Sequence, residues 1–212
     1  MTRYGIASAW VVLLSAPASA GSLAPSFDCA KAQSDAEEAI CASDALASLD
    51  LELARLYRLA IKGPNATADR VETLKQSQRD WLRERAECWK ASIGPEVCVA
   101  NAYAFRIHAL REGYSDARSD DANGASLGPV AYRCDGLDAL LGAVFVNTRE
   151  PVVSLSWLSY GIVLPRVESG SGAKYASDLW DSSPALFWTQ GDTATFAPPG
   201  GTEVQCRREP IG

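Results

Sequence analysis

Few side chains in this 212-residue sequence could carry out chemistry, since it contains six cysteines and a single histidine. A Ser-His-Asp arrangement would have to use His108, and no Gly-x-Ser-x-Gly turn presents a serine to it. The 26 acidic residues are too numerous for any one pair to stand out as a general acid and base. We therefore expect a protein that is not an enzyme and that has no cofactor.

The six cysteines predict disulfides rather than a metal site. No Cys-x-x-Cys pair occurs, and one histidine cannot complete a Cys/His zinc site. An even number of cysteines in an exported chain is typical of a disulfide framework. We expect three disulfides and no metal ligands.

The first 20 residues have the pattern of a secretory signal peptide. Arg3 precedes a short apolar segment, residues 6–14, and Ala18-Ser19-Ala20 is typical of a cleavage site. The apolar segment is shorter than the ~20 residues that span a bilayer. The first cysteine, Cys29, is too far away to serve as a lipoprotein cysteine. We predict a signal peptide over 1–20, no membrane span, and a periplasmic or secreted location.

The charge balance limits the choice of partner. Without Arg3 the chain carries 19 basic and 26 acidic residues, a formal charge of −7. This balance argues against binding to nucleic acid or to anionic membranes, and it favours a basic partner through electrostatic steering.

The elements that must position these residues fall into two parts, of which the first is helical. Ser34-Asp35-Ala36-Glu37 is a capping box, and leucines follow at helical spacing up to Gly63. A second helix is predicted from Thr67 to about Ser92, and a third from Val97 to Leu110. The pattern predicts a three-helix domain over 27–114.

The predicted helical hairpin suggests a disulfide pairing. Cys41 and Cys88 are equally far in sequence from a turn centred between Pro64 and Asn65, so antiparallel helices would place them side by side. The hypothesis is therefore a Cys41–Cys88 bond, with Cys29 left to pair with Cys98.

The periodicity changes after a polar stretch, residues 115–128, that has the composition of a linker. Seven or eight short segments with period two then occur between glycine, proline, asparagine and aspartate residues. They predict an antiparallel sandwich or a small closed barrel over 129–208. A bond between Cys134 and Cys206 would join the first strand to the last.

The C-terminal half resembles the MliC/PliC family of c-type lysozyme inhibitors. The matching segments are Tyr132-Arg133-Cys134-Asp135-Gly136, Leu164-Pro165, Ser169-Gly170-Ser171-Gly172-Ala173-Lys174-Tyr175, Trp188-Thr189-Gln190-Gly191-Asp192 and Cys206.

The resemblance implies an eight-stranded antiparallel barrel with a loop that enters the lysozyme cleft. In the family a serine of this loop contributes a hydroxyl, and the matching position is Ser171. Gly170 and Gly172 would allow close approach and positive φ, and Tyr175 would anchor the loop by packing. We expect the lysozyme-binding residues to be Ser169, Gly170, Ser171, Gly172, Lys174, Tyr175 and Gln190.

One position departs from that family. Its members usually have a lysine where this sequence has Gln190, so the charge that would pair with a catalytic carboxylate is missing. Charge-assisted hydrogen bonds are roughly twice as strong as neutral ones. Lys174 is a candidate substitute cation. We expect inhibition that is weaker than is usual for the family, or that is directed at another lysozyme.

The helical half resembles the N-terminal domain of LprI-type lysozyme inhibitors over about 27–112. The matching residues are Phe27-Asp28-Cys29-Ala30-Lys31-Ala32, Ile40-Cys41, Leu49-Asp50, Tyr57, Gln78, Trp81, Arg85, Cys88, Cys98 and Tyr103. Together the two resemblances suggest an inhibitor of c-type lysozyme.

Two other functions remain open: a non-inhibitory module that binds peptidoglycan or a protein of the cell envelope, and a barrel with a small apolar ligand in its lumen. Among individual residues, Arg85 is expected to be buried and paired with a carboxylate such as Asp50, beneath Trp81. His108 is expected to be a surface residue or a satisfied core residue. Three aromatic residues could belong to the core or to an exposed rim: Trp180, Phe187 and Trp188.

Overall fold

A computed structural model describes residues 23–179 and 184–210. The predicted signal peptide and Trp180 lie outside the described residues. Four α-helices precede eight β-strands, which confirms the predicted fold class. The helices are α1 (Asp35–Ala42), α2 (Asp44–Lys62), α3 (Ala68–Ala86) and α4 (Pro95–Gly113).

The first predicted helix is divided in two, so that the part with three expected helices has four. Ser43 adopts an extended conformation, and its hydroxyl accepts a hydrogen bond from the backbone N–H of Leu46. A serine at this position ends one helix and caps the next. The expected cap at Ser34 is present, since its hydroxyl accepts from the N–H of Glu37.

This division explains why the predicted pairing of the helical cysteines was wrong. The disulfides are Cys29–Cys41 and Cys88–Cys98, with Cα–Cα distances of 5.8 and 5.5 Å. The hairpin argument assumed continuous helices, but Cys41 lies on the separate α1, and Cys88 lies on a 3-10 turn, Glu87–Lys90, beyond the end of α3. Both cysteines therefore pair with near neighbours in the sequence.

The strands form a closed antiparallel barrel in sequential order. They are β1 (Ser126–Cys134), β2 (Leu140–Val146), β3 (Val152–Trp157), β4 (Tyr160–Val167), β5 (Ala173–Ser177), β6 (Ala185–Gln190), β7 (Thr193–Ala197) and β8 (Val204–Arg208). Strand β1 pairs with β8 and closes the sheet. The predicted bond between Cys134 and Cys206 is confirmed, and it joins residues directly opposite each other in that pair.

The interior of the barrel is filled by side chains of its own strands. Phe187 and Phe196 are buried at its centre, and Tyr132 packs edge-on against Phe187 with ring centroids 5.4 Å apart. Phe187 is thus a core residue, whereas Trp188, next to it in the sequence, is half-buried on the outside. Filling by side chains is the usual arrangement in a small barrel.

The helical part and the barrel share one hydrophobic core. Val144, Val152 and Val163, on the outside of the barrel, belong to the same buried cluster as Ala104 and Ile107 of α4. The stretch predicted as a linker contains two 3-10 turns, and β1 begins within it at Ser126. The helices therefore cover one side of the barrel.

Charged side chains reinforce this junction. Arg111 of α4 is fully buried and donates two hydrogen bonds to the carboxylate of Asp121, at 2.9 and 2.8 Å, and one to the carbonyl of Gly128. Glu52 of α2 accepts hydrogen bonds from Arg55 and from the backbone and hydroxyl of Ser126. Burial opposes ionisation of Glu52, but these hydrogen bonds hold its pKa below the usual value.

We expect the isolated fragment 128–212 to associate or unfold, because it uncovers valines that the helices bury. Val144, Val146, Val152 and Val163 would form a contiguous apolar surface. Light scattering and urea denaturation of the fragment and of the full chain would measure this. The substitutions Val144→Thr and Val163→Thr should partly restore the solubility of the fragment. A fragment that is monomeric and as stable as the full chain would contradict the prediction.

Candidate functional site

A five-residue connection between β4 and β5, residues 168–172, contains the predicted site. We call it the serine–glycine loop. Ser169, Gly170 and Ser171 are exposed to solvent. In an up-and-down barrel alternate connections share one end, so this loop lies at the same end as residues 147–151 and the turn at 191–192. The closed sheet therefore presents the loop at its rim.

Side chains of β6 hold the loop in place. The amide Nε2 of Gln190 donates to the hydroxyl of Ser171 over 3.2 Å, and the indole Nε1 of Trp188 donates to the Ser171 carbonyl over 2.9 Å. The hydroxyl of Ser169 donates to the carbonyl of Gly172 over 3.3 Å. The structure thus brings Ser171 and Gln190 together, as the sequence resemblance predicted.

Glycine is required at one of the two predicted positions. Gly172 has φ of +64°, and a β-carbon there would overlap the carbonyl oxygen of Thr189. Gly170 does not have positive φ, and a β-carbon at that position would meet open space. The expectation of positive φ was therefore right for Gly172 and wrong for Gly170, which is at the exposed tip rather than against β6.

Lys174 and Tyr175 follow the loop on β5 and have different surroundings. The ammonium of Lys174 lies 5.5 Å from the ring centroid of Trp188, a cation–π contact. Tyr175 is buried in the barrel and packs against Phe145, with ring centroids 5.9 Å apart. Burial raises the pKa of Tyr175. Tyr175 can thus act on a partner only by supporting the loop.

The sequence analysis did not identify the residues beside the loop. Pro151 of the β2–β3 connection, Arg166 of β4 and Glu168 line an open depression together with Ser169 and Gly172. Arg166 and Glu168 could have been noticed in the sequence, because they are charged residues just before the matched segment that begins at Ser169. Pro151 comes from a different connection, and the pairing of β3 with β4 brings it next to the loop, since its carbonyl accepts a hydrogen bond from the backbone N–H of Arg166.

Arg85 and Asp50 are joined through a tyrosine. The guanidinium of Arg85 donates to the hydroxyl of Tyr103 over 2.6 Å, and that hydroxyl donates to Asp50 over 2.8 Å. Arg85 also lies 5.1 Å from the ring centroid of Trp81. Arg85 is therefore buried beneath Trp81 as expected, but its direct carboxylate partner is Glu37, at 3.7 Å, and its link to Asp50 is indirect.

His108 is a satisfied core residue at the junction between the helices and the barrel. Its Nδ1 is 3.1 Å from the Ser154 carbonyl, to which it can donate, and its Nε2 can accept from the hydroxyl of Ser156 at 3.1 Å. Both contacts suit the neutral ring, and burial lowers the pKa of His108, while Glu112 opposes this shift.

We expect His108 to lower stability in acid. At a pH below about 6.5, the usual pKa of histidine, His108 binds a proton in the unfolded chain but not in the folded chain. The free energy of unfolding therefore falls as the pH decreases from about 6.5 towards the lower pKa of His108 in the folded chain. Urea denaturation between pH 5 and 7.5 would measure this for the wild type and for His108→Gln. The variant should depend less steeply on pH. Equal slopes would contradict the prediction.

Among residues 23–179 and 184–210, no helix is long and apolar enough to cross a membrane. Within the described part of the chain, no three His, Cys, Asp or Glu side chains are grouped so that they could hold a metal ion.

Comparison with known proteins gives two family matches. Residues 29–110 match the family described as lysozyme inhibitor LprI, and residues 132–205 match the family described as membrane-bound lysozyme-inhibitor of c-type lysozyme, MliC. The chain is 30% identical over 151 residues to lipoprotein LprI of Mycobacterium bovis and of Mycobacterium tuberculosis. The alignment covers 71% of this chain and 70% of each relative. No solved structure matches the chain significantly.

Proposed function

Because this chain belongs to the LprI family of lysozyme inhibitors, we propose that it inhibits c-type lysozyme by inserting the serine–glycine loop into the catalytic cleft. The match of the barrel to the MliC family supports the same enzyme as target. Three disulfides favour an oxidising compartment, and we propose that the protein acts in the periplasm or outside the cell.

The observation that carries this proposal is that contacts with β6 within the chain itself hold the loop. Gln190 and Trp188 hold Ser171, and Gly172 lies directly against β6. A segment that is already fixed loses little conformational entropy on association, so more of its contact energy contributes to affinity.

The hydrogen bonds of Ser171 leave it able to bind a carboxyl group. A hydroxyl has one hydrogen to donate and two acceptor positions. Since Gln190 donates to the oxygen of Ser171, the hydroxyl hydrogen remains available to a partner. The cleft of c-type lysozyme contains one protonated and one ionised carboxyl group, and either can take part in such a bond.

Lysozyme-catalysed lysis of bacterial cell walls, with the full chain added in increasing amounts, tests the proposal. We expect 1:1 binding by calorimetry and loss of lytic activity with a hen-type enzyme. Ser171→Ala combined with Gly172→Leu should remove both effects. Undiminished lysis at a large excess of the wild-type chain would refute the proposal, and undiminished inhibition by the double variant would refute the assigned loop.

We expect Gln190→Lys to strengthen inhibition. Lysine at this position would replace the neutral donor to a carboxylate by a cationic one and so form an ion pair, a gain of about 1 kcal/mol or roughly fivefold in the inhibition constant. The gain should shrink at high salt. Gln190→Met is the matched control, because it keeps the length and removes the hydrogen bonds, and it should weaken inhibition. If lysine gave no gain at low salt, Gln190 would lie outside the contact.

The absence of a charge at Gln190 also supports a second candidate, a cell-envelope module that binds peptidoglycan or a protein without inhibiting lysozyme. Sedimentation of the full chain with insoluble peptidoglycan, in the absence of lysozyme, distinguishes the two. Co-sedimentation without inhibition would favour the second candidate.

A further inference from the structure

The serine–glycine loop is too small to form a stable complex alone. A standard protein–protein interface buries about 800 Å² on each partner and involves some 20–30 residues a side. Five residues at a barrel rim supply only part of that area. The rest of the contact surface must lie on the neighbouring parts of the chain.

A groove between the helices and the barrel lies close to the loop. Its volume is about 290 Å³, and its walls come from α2, α4 and the start of β3, with Leu46, Val97 and Val152 among them. The side of the groove formed by α4 presents an apolar side chain to solvent, because Val97 is 37% exposed. We call this feature the inter-domain groove.

One short connection separates the groove from the loop. Pro151 lines the depression that contains Ser169 and Gly172, and Glu150, the residue before it, lines the inter-domain groove. The same connection is fixed to the helices, since Arg149 forms an ion pair with Asp44 at 3.1 Å and its backbone N–H donates to Ser48. The loop and the groove are therefore adjacent on one surface.

The relative position of loop and groove is fixed by packing. The helices and the outer face of the barrel share a buried cluster that includes Val152, a residue of the groove. Arg111, which is fully buried, adds an ion pair with the partly exposed Asp121 at the same junction. A partner that binds both features would find them already arranged, at little entropic cost.

The charge of the inter-domain groove suits a basic partner. Glu96 and Glu150 line the groove and are exposed, whereas Glu168, beside the loop, has Arg166 in the same depression. Arg149 is neutralised by its ion pair with Asp44. Acidic residues around an apolar groove attract a basic protein and raise its rate of association.

We infer that the lysozyme molecule bound by the serine–glycine loop also covers the inter-domain groove, where it packs an apolar side chain against Val97 and places basic side chains near Glu96 and Glu150. This inference rests on the proposed function. It gives the helical part a direct role in binding, in addition to its role of covering the barrel.

The test compares two full-length double variants with the wild type by surface plasmon resonance against a basic, hen-type lysozyme. Val97→Arg with Glu150→Lys alters the groove and leaves the loop intact. Leu158→Arg with Glu203→Lys makes the same change in charge at exposed positions on connections at the other end of the barrel. We expect a dissociation constant at least about tenfold higher for the groove variant, and a change within about twofold for the control.

A milder variant keeps the test valid if the groove double variant misfolds. Glu150→Gln should fold normally and should lower the association rate and its dependence on salt. If both groove variants bind like the wild type, the inference is refuted while the proposed function stands, provided that the wild type inhibits lysis and the loop variant does not. If the wild type binds no lysozyme, the proposed function fails and the inference with it.

Discussion

Replacing Gly172 by alanine is expected to raise the inhibition constant for c-type lysozyme at least about 100-fold, or about 2.7 kcal/mol in binding free energy. The added β-carbon would overlap the carbonyl oxygen of Thr189, and φ of +64° is unfavourable for alanine. The backbone of the loop must move away from β6, which breaks the hydrogen bonds that hold Ser171. Lytic assays and calorimetry with the purified variant would measure the loss.

Gly136→Ala is the matched control for this substitution. Gly136 also has positive φ, +73°, but a β-carbon there meets no atom within 4 Å, and the residue lies on the connection between β1 and β2. Gly136→Ala should cause a backbone strain similar to that of Gly172→Ala and should leave inhibition unchanged. If both alanine variants inhibited like the wild type, the shape of the serine–glycine loop would be irrelevant to binding.

Replacing Arg111 by methionine is expected to reduce the free energy of unfolding by about 2–4 kcal/mol, less than for a fully buried ion pair because Asp121 is partly exposed. The arginine is fully buried, and its loss leaves Asp121, Ser126 and the carbonyl of Gly128 without their donor. For a chain of this size the melting temperature should fall by about 10 °C. Urea and thermal denaturation would measure both quantities.

Arg133→Met provides the comparison for a surface ion pair. Arg133 pairs with Glu209 at 2.7 Å, but its side chain is 69% exposed. Removal of an exposed pair should cost less than about 1 kcal/mol. If the free energy of unfolding fell by less than about 1 kcal/mol in both variants, Arg111 would not stabilise the junction between the helices and the barrel.

The two-part architecture could be predicted from local patterns. The capping box at Ser34 and the leucines that follow indicate helices, and the alternation from Val153 to Trp157 indicates strands. These patterns depend on which face of an element is buried, so they can be read without knowledge of the partner elements. The break at Ser43 was missed because one helix was assumed to run from the cap at Ser34 into the leucine stripe, which begins only at Leu46.

The residues of the candidate site could be predicted from the sequence better than the contacts that these residues make. Ser171, Gly172 and Gln190 could be identified from the matched motif as candidate residues, and the structure adds a hydrogen bond from Gln190 to Ser171. The different surroundings of Gly170 and Gly172 could not be predicted, because they depend on the distance of each residue from β6. Pro151, from another connection, could not be identified at all.

The sequence by itself determined the types of the elements, their order and the disulfide between the first and last strands, since these strands are paired in a closed sheet and cysteines at matching positions can lie opposite each other. Only the tertiary structure decided the two helical disulfides and the joint core of helices and barrel. These depend on the direction of each helix after Ser43 and after Ala86, and on which outer face of the sheet α4 covers. Such directions are set by packing between residues far apart in the chain, so they cannot be predicted from the local periodicity of a sequence.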